Sequence, residues 1–229
     1  MFTAVGFNMM NWERPDGFQV KFIMGVGWCP AARHNDGVAK AQQWGADLIM
    51  FNGGDHLCPF DILSLMIARI DEGWDMVHAM PPSRGVCGWN SRAFQAQSYR
   101  VVGPIPKDNA VLCMPSGSAK VLSYADEPQE SHISGTGNIL MKAEILDGMQ
   151  KPYFEEIIKK DGLYGRYCAQ DSQFTHRCTI ESGARMFCDT SIRIIHLDIF
   201  GIDDTYSDRF KDKDGQSDWS PAKDLRKYV

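Results

Sequence analysis

The sequence lacks any apolar run approaching the roughly 18–20 residues a membrane-spanning helix needs, and Met1–Met10 has none of the basic residues that open a secretory signal. A cytoplasmic protein without a membrane span is the expectation. Cysteine usage agrees with this. The seven cysteines, Cys29, Cys58, Cys87, Cys113, Cys168, Cys178 and Cys188, are odd in number and scattered, with no C-x-x-C pair. That pattern indicates no disulfide framework, and Cys168, His176, Cys178 and Cys188 follow none of the usual zinc spacings. Positive charge is also short. Against 29 acidic residues there are 24 Lys and Arg, a formal net charge of -5, which argues against a protein that coats nucleic acid non-specifically. Nor does GFNMMNWERPDG near the start make a Gly-rich, Lys-bearing phosphate loop, as a nucleotidyltransferase would want.

What is present suits a globular chain. A hydrophobic share of 44% and a charged share of 23% over 229 residues fit one α/β domain with a tail. Phe2–Asn8 and Phe18–Val26 are short apolar runs separated by Pro15-Asp16-Gly17, which predicts two strands and a loop. Pro30 opens a helical stretch with Ala31, Val38, Ala41 and Trp44 on one face, closed by Gly45. Ala46–Phe51 reads as a buried strand. After it Pro59 opens a second helix, with Ile62, Leu63, Met66, Ile67 and Ile70 as its apolar stripe. Asp75–Met80 is another strand. Alternation of strand and helix over these eighty residues predicts an open, mostly parallel sheet with helices on both faces.

Residues 81–130 break into Gly, Pro, Ser and short apolar pieces, the composition of loops and edge strands. Order returns at Gly135–Met141, a glycine-led strand, followed by Pro152-Tyr153-Phe154 and a short amphipathic helix. Asp171–Cys178 predicts a further helix ending near Gly183, and Ile192–Leu197 the last strand. Beyond residue 200 the chain is polar, yet Tyr206, Phe210 and Trp219 suit a tail that folds over a site when ligand is present. Trp89, Phe94 and Tyr99 offer flat faces for a sugar or base.

Ligands of open α/β sheets bind outside the carboxyl ends of the strands, where Asn52-Gly53-Gly54-Asp55-His56 falls. The glycines permit close backbone approach, and a carboxylate followed by an imidazole offers oxygen and nitrogen to a divalent cation. The same residues also fit a plain strand-to-helix turn with Asp55 as a cap.

GADLIMFNGGDHLCPFDIL resembles the strand that ends in an acidic triplet in glycosyltransferases of the GT-A fold, particularly those similar to family 2. Further matches follow in order from Gly25 to Leu197. Arg33-His34-Asn35 resembles the family's "aRN", and GTGNILMKAEIL its "gtg" strand. QDSQFTHRCTIESG resembles its Glu-Asp helix, and DTSIRIIHL its "D-x-S-x-x-x-x-H". Two departures stand out: Gly53 where the triplet's first acid belongs, and Gln170 where the helix carries Glu.

The resemblance implies a domain over residues 1–200, with a nucleotide-sugar half (1–80), an acceptor half (81–200) and a tail (201–229). It implies Mn²⁺ or Mg²⁺ on Asp55 and His196, a nucleotide-sugar donor against Arg33, Asn52, Gly53 and Gly54, and Asp171 as the base in an inverting transfer. The acceptor stays open between a glycan, a protein and a modified nucleic-acid base. For Asp171 the bland alternative is a helix cap, and for Arg33 a surface position. A nucleotidyltransferase, or a binding domain that kept this fold without chemistry, also stays open.

Overall fold

The computed structural model describes residues 2–81, 98–101, 119–122, 126–155, 157–161, 164–168, 170–197 and 201–202. Its centre is a five-stranded sheet ordered β1 (Leu48–Phe51), β8 (Ile139–Lys142), β3 (Met76–Ala79), β11 (Met186–Asp189), β6 (Gln129–Ser131). Alternating residues of β1 face opposite sides, as the period of a strand requires. Ile49 and Phe51 join Met76, Met141 and Met186 under the helices α2 (Pro30–Trp44) and α4 (Gln170–Glu181). Leu48 and Met50 join Val77, Ala79 and Leu140 under α3 (Ile62–Asp71). Helices therefore cover both faces, as expected.

The sheet is not mostly parallel. Only β3 and β11 pair in parallel, while β1–β8, β8–β3 and β11–β6 are antiparallel. β1, β3 and β11 do run the same way, which is the sense that strand-helix alternation imposes. β8 slots between β1 and β3 against both, with Leu48 opposite Lys142 and Met76 opposite Met141. A pairing between residues so far apart in sequence leaves no local signal.

The helix Pro30–Trp44 forms as its punctuation predicts: Cys29 accepts the Ala32 N–H, Pro30 starts the first turn, and Gly45 closes it at φ 75. Phe2–Asn8 is not a strand. It lies in α1 (Phe2–Met10), because the buried face of this segment repeats every three to four residues. Val5 packs with Leu57 and Ile195, and the next turn offers Asn8, whose amide bonds both the N–H and the C=O of Cys58 and accepts from the Trp12 indole. Phe18–Val26 joins no sheet among the described residues. It is held along α2 instead, by Val26 N–H donating to Asp36 and Lys40 donating to the Met24 carbonyl.

Among the described residues, no helix follows Phe154 before α4. Ile157–Asp161 (β9) pairs antiparallel with Tyr164–Cys168 (β10), as the β-branched pair Ile157-Ile158 favours. Lys142 leads instead into a 3₁₀ turn, Ala143–Gly148. Ile192–Leu197 contributes only Ile195–Leu197 (β12) as strand. Trp89, Phe94, the tail from residue 203 and its Tyr206, Phe210 and Trp219 lie outside the described residues. Among the described residues, no helix is long and apolar enough to cross a membrane.

Two polar side chains fasten the 150–154 segment to the helices. Asn35 Oδ1 accepts the N–H groups of Tyr153 and Phe154, each at 3.1 Å, and its Nδ2 donates to Phe154 O at 2.8 Å. Arg177 donates to the carbonyls of Gln150, Pro152 and Tyr153 and is paired with Glu181. The segment so held supplies Phe154, whose ring stacks on Phe174 at 4.0 Å. Asn35→Ala strands three backbone groups beside a buried ring, and is expected to cost about 2–4 kcal/mol. Urea unfolding checks this. A midpoint unchanged from wild type contradicts the anchoring role.

Candidate metal centre

β1 ends at Phe51, and after a four-residue loop the chain forms a two-residue strand, β2 (His56–Leu57). β2 pairs antiparallel with β12, so that His196 stands directly opposite His56. The Leu197 N–H donates to Asp55 O at 2.7 Å, which ties the loop to the same strand. In consequence one carboxylate faces two imidazoles: Asp55 Oδ2 is 3.3 Å from His196 Nε2, and Oδ1 is 3.6 Å from His56 Nε2. The two rings lie 4.4 Å apart at 85°. Both histidines are buried and Asp55 is half-buried. The donor atoms all lie within 4.8 Å of one another, and the group can hold a metal ion.

The His56 ring has a fitted slot. A Cβ at position 53 would lie 2.5 Å from His56 Nδ1, and one at position 137 would lie 2.4 Å from Cε1, closer than atoms pack. Glycine at both positions is what lets the imidazole in. Asn138 backs the ring from the next residue, its Nδ2 3.1 Å from His56 Nδ1, and its Oδ1 accepts from the Cys58 thiol at 3.4 Å. That thiol also reaches Asn52 Oδ1 at 3.3 Å. Burial pushes the Cys58 thiol far up, so it stays protonated as a donor.

His196 owes its place to the turn that leads into β12. Asp189 closes β11, and its Oδ1 accepts the Ser191 N–H and hydroxyl while Oδ2 accepts from Arg69 Nε at 2.9 Å. Burial would raise the Asp189 carboxyl, but the Ser191 hydroxyl, Arg69 and the Ser191 N–H outweigh it and hold it below the usual range. The Asp and Ser of DTSIRIIH thus shape the turn, and the His is the member that faces the site.

The structure brings Asp55 and His196 together and puts Asn52, Gly53 and Gly54 in the loop that carries Asp55. Asn52 turns its amide to Cys58 and to the Gly53 carbonyl. Arg33 is exposed on α2, its Nε donating to Gly27 O at 3.0 Å. Asp171 is half-buried in the first turn of α4, where Oδ1 accepts the Ser172 N–H at 2.7 Å. Beside it, Gln170 Oε1 meets His34 Nδ1 at 3.1 Å and so joins α4 to α2. Burial holds His34 below its ordinary value, against the upward pull of Gln170 and Asp171. An uncharged Gln suits an uncharged imidazole. The sequence offered His56 as a nitrogen donor following Asp55 but not its pairing with His196, and it left Asn138 without a role. An imidazole next to Asp55 and an Asn closing GTGN were the available signals.

No family model and no curated protein matches this sequence. The chain shares its fold with A197 from STIV. The crystal structure of A197 aligns with a TM-score of 0.51 over 77% of this chain and 72% of A197, at 16% identity. At that identity the likeness to A197 is one of fold, and chemistry rests on the residues of this chain.

Beneath the centre, His78 on β3 is fully buried, with Nδ1 2.6 Å from Ser134 Oγ, and Ser134 in turn exchanges hydrogen bonds with Thr175. Burial pushes His78 from 6.5 down to about 3, a backbone hydrogen bond with Gly137 opposing and nearby His56 adding to the fall. The unfolded chain takes up this proton and the folded one refuses it. The stability from a neutral His78 is therefore complete above its ordinary value and is lost as pH falls through the window between the two values. This residue is expected to contribute a loss of ~2 kcal/mol between pH 7 and pH 5. Urea midpoints at the two pH values measure it against His78→Gln. The same slope in both chains contradicts the assignment.

Proposed function

We propose that this chain is a metal-assisted glycosyltransferase that moves a sugar from a nucleotide-sugar donor to an acceptor hydroxyl with inversion. One observation carries the reading. Asp55 and His196, 141 residues apart in sequence and matched to the metal-binding acid and late histidine of the GT-A pattern, meet at 3.3 Å beside the carboxyl end of β1. The donor set of one carboxylate and two imidazoles, with glycines clearing the approach, fits a divalent cation such as Mn²⁺. Such an ion, when bound, supplies positive charge for the leaving diphosphate.

The chain's own residues have distinct tasks in this reading. The Asn52–Gly54 loop gives the donor a surface with little side-chain bulk, and Arg33 supplies a guanidinium for phosphate. Asp171 accepts the proton of the attacking hydroxyl, which a carboxylate can do from hydrogen-bond distance. The acceptor is a glycan, a protein or a modified nucleic-acid base, met in the cytoplasm. A second reading, a domain that binds a nucleotide sugar without turning it over, draws on the engagement of Asp171 with Ser172 and of Gln170 with His34.

Nucleoside diphosphates with Mn²⁺ are expected to raise the melting temperature by mass action, and Asp55→Ala to abolish the metal-dependent part. No shift with any common nucleoside diphosphate contradicts the donor site. Asp171→Asn is expected to keep donor binding and to lower transfer by about 10²-fold or more in a radiolabelled-sugar assay. Unchanged turnover in that variant leaves Asp171 as a helix cap, and donor binding without transfer by wild type selects the second reading.

A further inference from the structure

We infer that His56 is a third metal ligand that replaces the acid missing at Gly53, with Asn138 as its positioning residue, making a centre for Mn²⁺, Co²⁺ or Zn²⁺ in preference to Mg²⁺. This rests on the metal part of the proposed function and is independent of sugar transfer.

The replacement follows from space. Gly53 is the position where the related pattern carries its first acid, and any side chain there begins 2.5 Å from His56 Nδ1. An acid at 53 and the observed His56 ring exclude each other. Gly137 repeats the exclusion, since a Cβ there would lie 2.4 Å from His56 Cε1. Two backbone positions have given up their side chains to one imidazole, whose Nε2 points at Asp55 Oδ1 while His196 Nε2 points at Oδ2. The β2–β12 register sets the two histidines directly opposite each other, one at each oxygen of the carboxylate. Two imidazoles and one carboxylate favour borderline transition metals, whereas Mg²⁺ prefers a shell of oxygens and retains its waters.

Asn138 supplies the outer support. Its φ is 68, a left-handed conformation that glycine adopts most cheaply and asparagine tolerates. Asparagine at such a position is explained by its amide, which is fully buried between His56 Nδ1 and Cys58 Sγ. For Nε2 to bind a cation it must be the unprotonated nitrogen, so Nδ1 carries the hydrogen and needs an acceptor. Half a turn about the last Asn138 torsion presents Oδ1 to that hydrogen and Nδ2 to the sulfur. The ring's proton moves from one nitrogen to the other and the proton count is unchanged.

The test uses the full chain and metal alone. Mn²⁺ binding is followed by electron paramagnetic resonance, and about a hundredfold excess of Mg²⁺ is expected to leave most of the Mn²⁺ bound. Asn138→Gly, which keeps the backbone conformation, is expected to weaken Mn²⁺ binding by about 10–100-fold with no loss of fold. Gly53→Asp, which restores the acid, is expected to weaken it too, by expelling the ring. Binding unchanged in Asn138→Gly, tighter in Gly53→Asp, or lost to an equal concentration of Mg²⁺ overturns the proposal. Wild type gives a readout that needs no variant. Long-range ¹H–¹⁵N spectra with Zn²⁺ are expected to place the His56 hydrogen on Nδ1, and a His56 ring untouched by saturating Zn²⁺ overturns the ligand assignment. Chains that pass these tests but bind no nucleoside diphosphate refute the transferase reading alone.

Discussion

The two-residue ladder between β2 and β12 is the contact on which the rest of the site depends. It sets His196 across from His56, and the Leu197–Asp55 hydrogen bond continues it into the loop that ends β1. Each element that feeds the ladder is fixed elsewhere. β1 is held by β8 and the core under α2, while β12 is aimed by the Asp189 turn, itself clamped by Arg69 from α3. Asp55, His56 and His196 thus inherit their geometry from both faces of the sheet, and preorganisation of this kind is what a metal site on rigid elements needs.

Read as sequence, Gly53 is a loss, since the motif wants an acid there. In the structure it is a steric requirement, because the His56 ring fills the space a side chain would take. The same logic applies to Gln170, which meets a buried His34 that burial keeps below its ordinary value. Both departures from the pattern have local partners. A motif position can change identity without the site being abandoned, provided another residue occupies the vacated volume and carries compatible chemistry.

Elements with strong punctuation were legible. Pro30 and Gly45 bound α2, the Ile62–Ile70 stripe marked α3, and Gly183 closed the turn after α4. What stayed hidden depended on distant partners. β8 inserts between β1 and β3, so a chain whose alternation implies parallel pairing builds a sheet with one parallel pair. α1 was hidden because its inward face carries the polar Asn8, whose amide is satisfied by Cys58 and by the Trp12 indole. Asp55 and His196 could be paired through a resemblance. The engagement of His56 needed the β2–β12 register, and that of Asn138 needed a backbone angle.

Anomalous diffraction from crystals grown with Mn²⁺ tests the central claim most directly. The account predicts one strong peak bonded at about 2.0–2.3 Å to an Asp55 oxygen and to Nε2 of both His56 and His196. A peak elsewhere, or none at saturating metal, would contradict it.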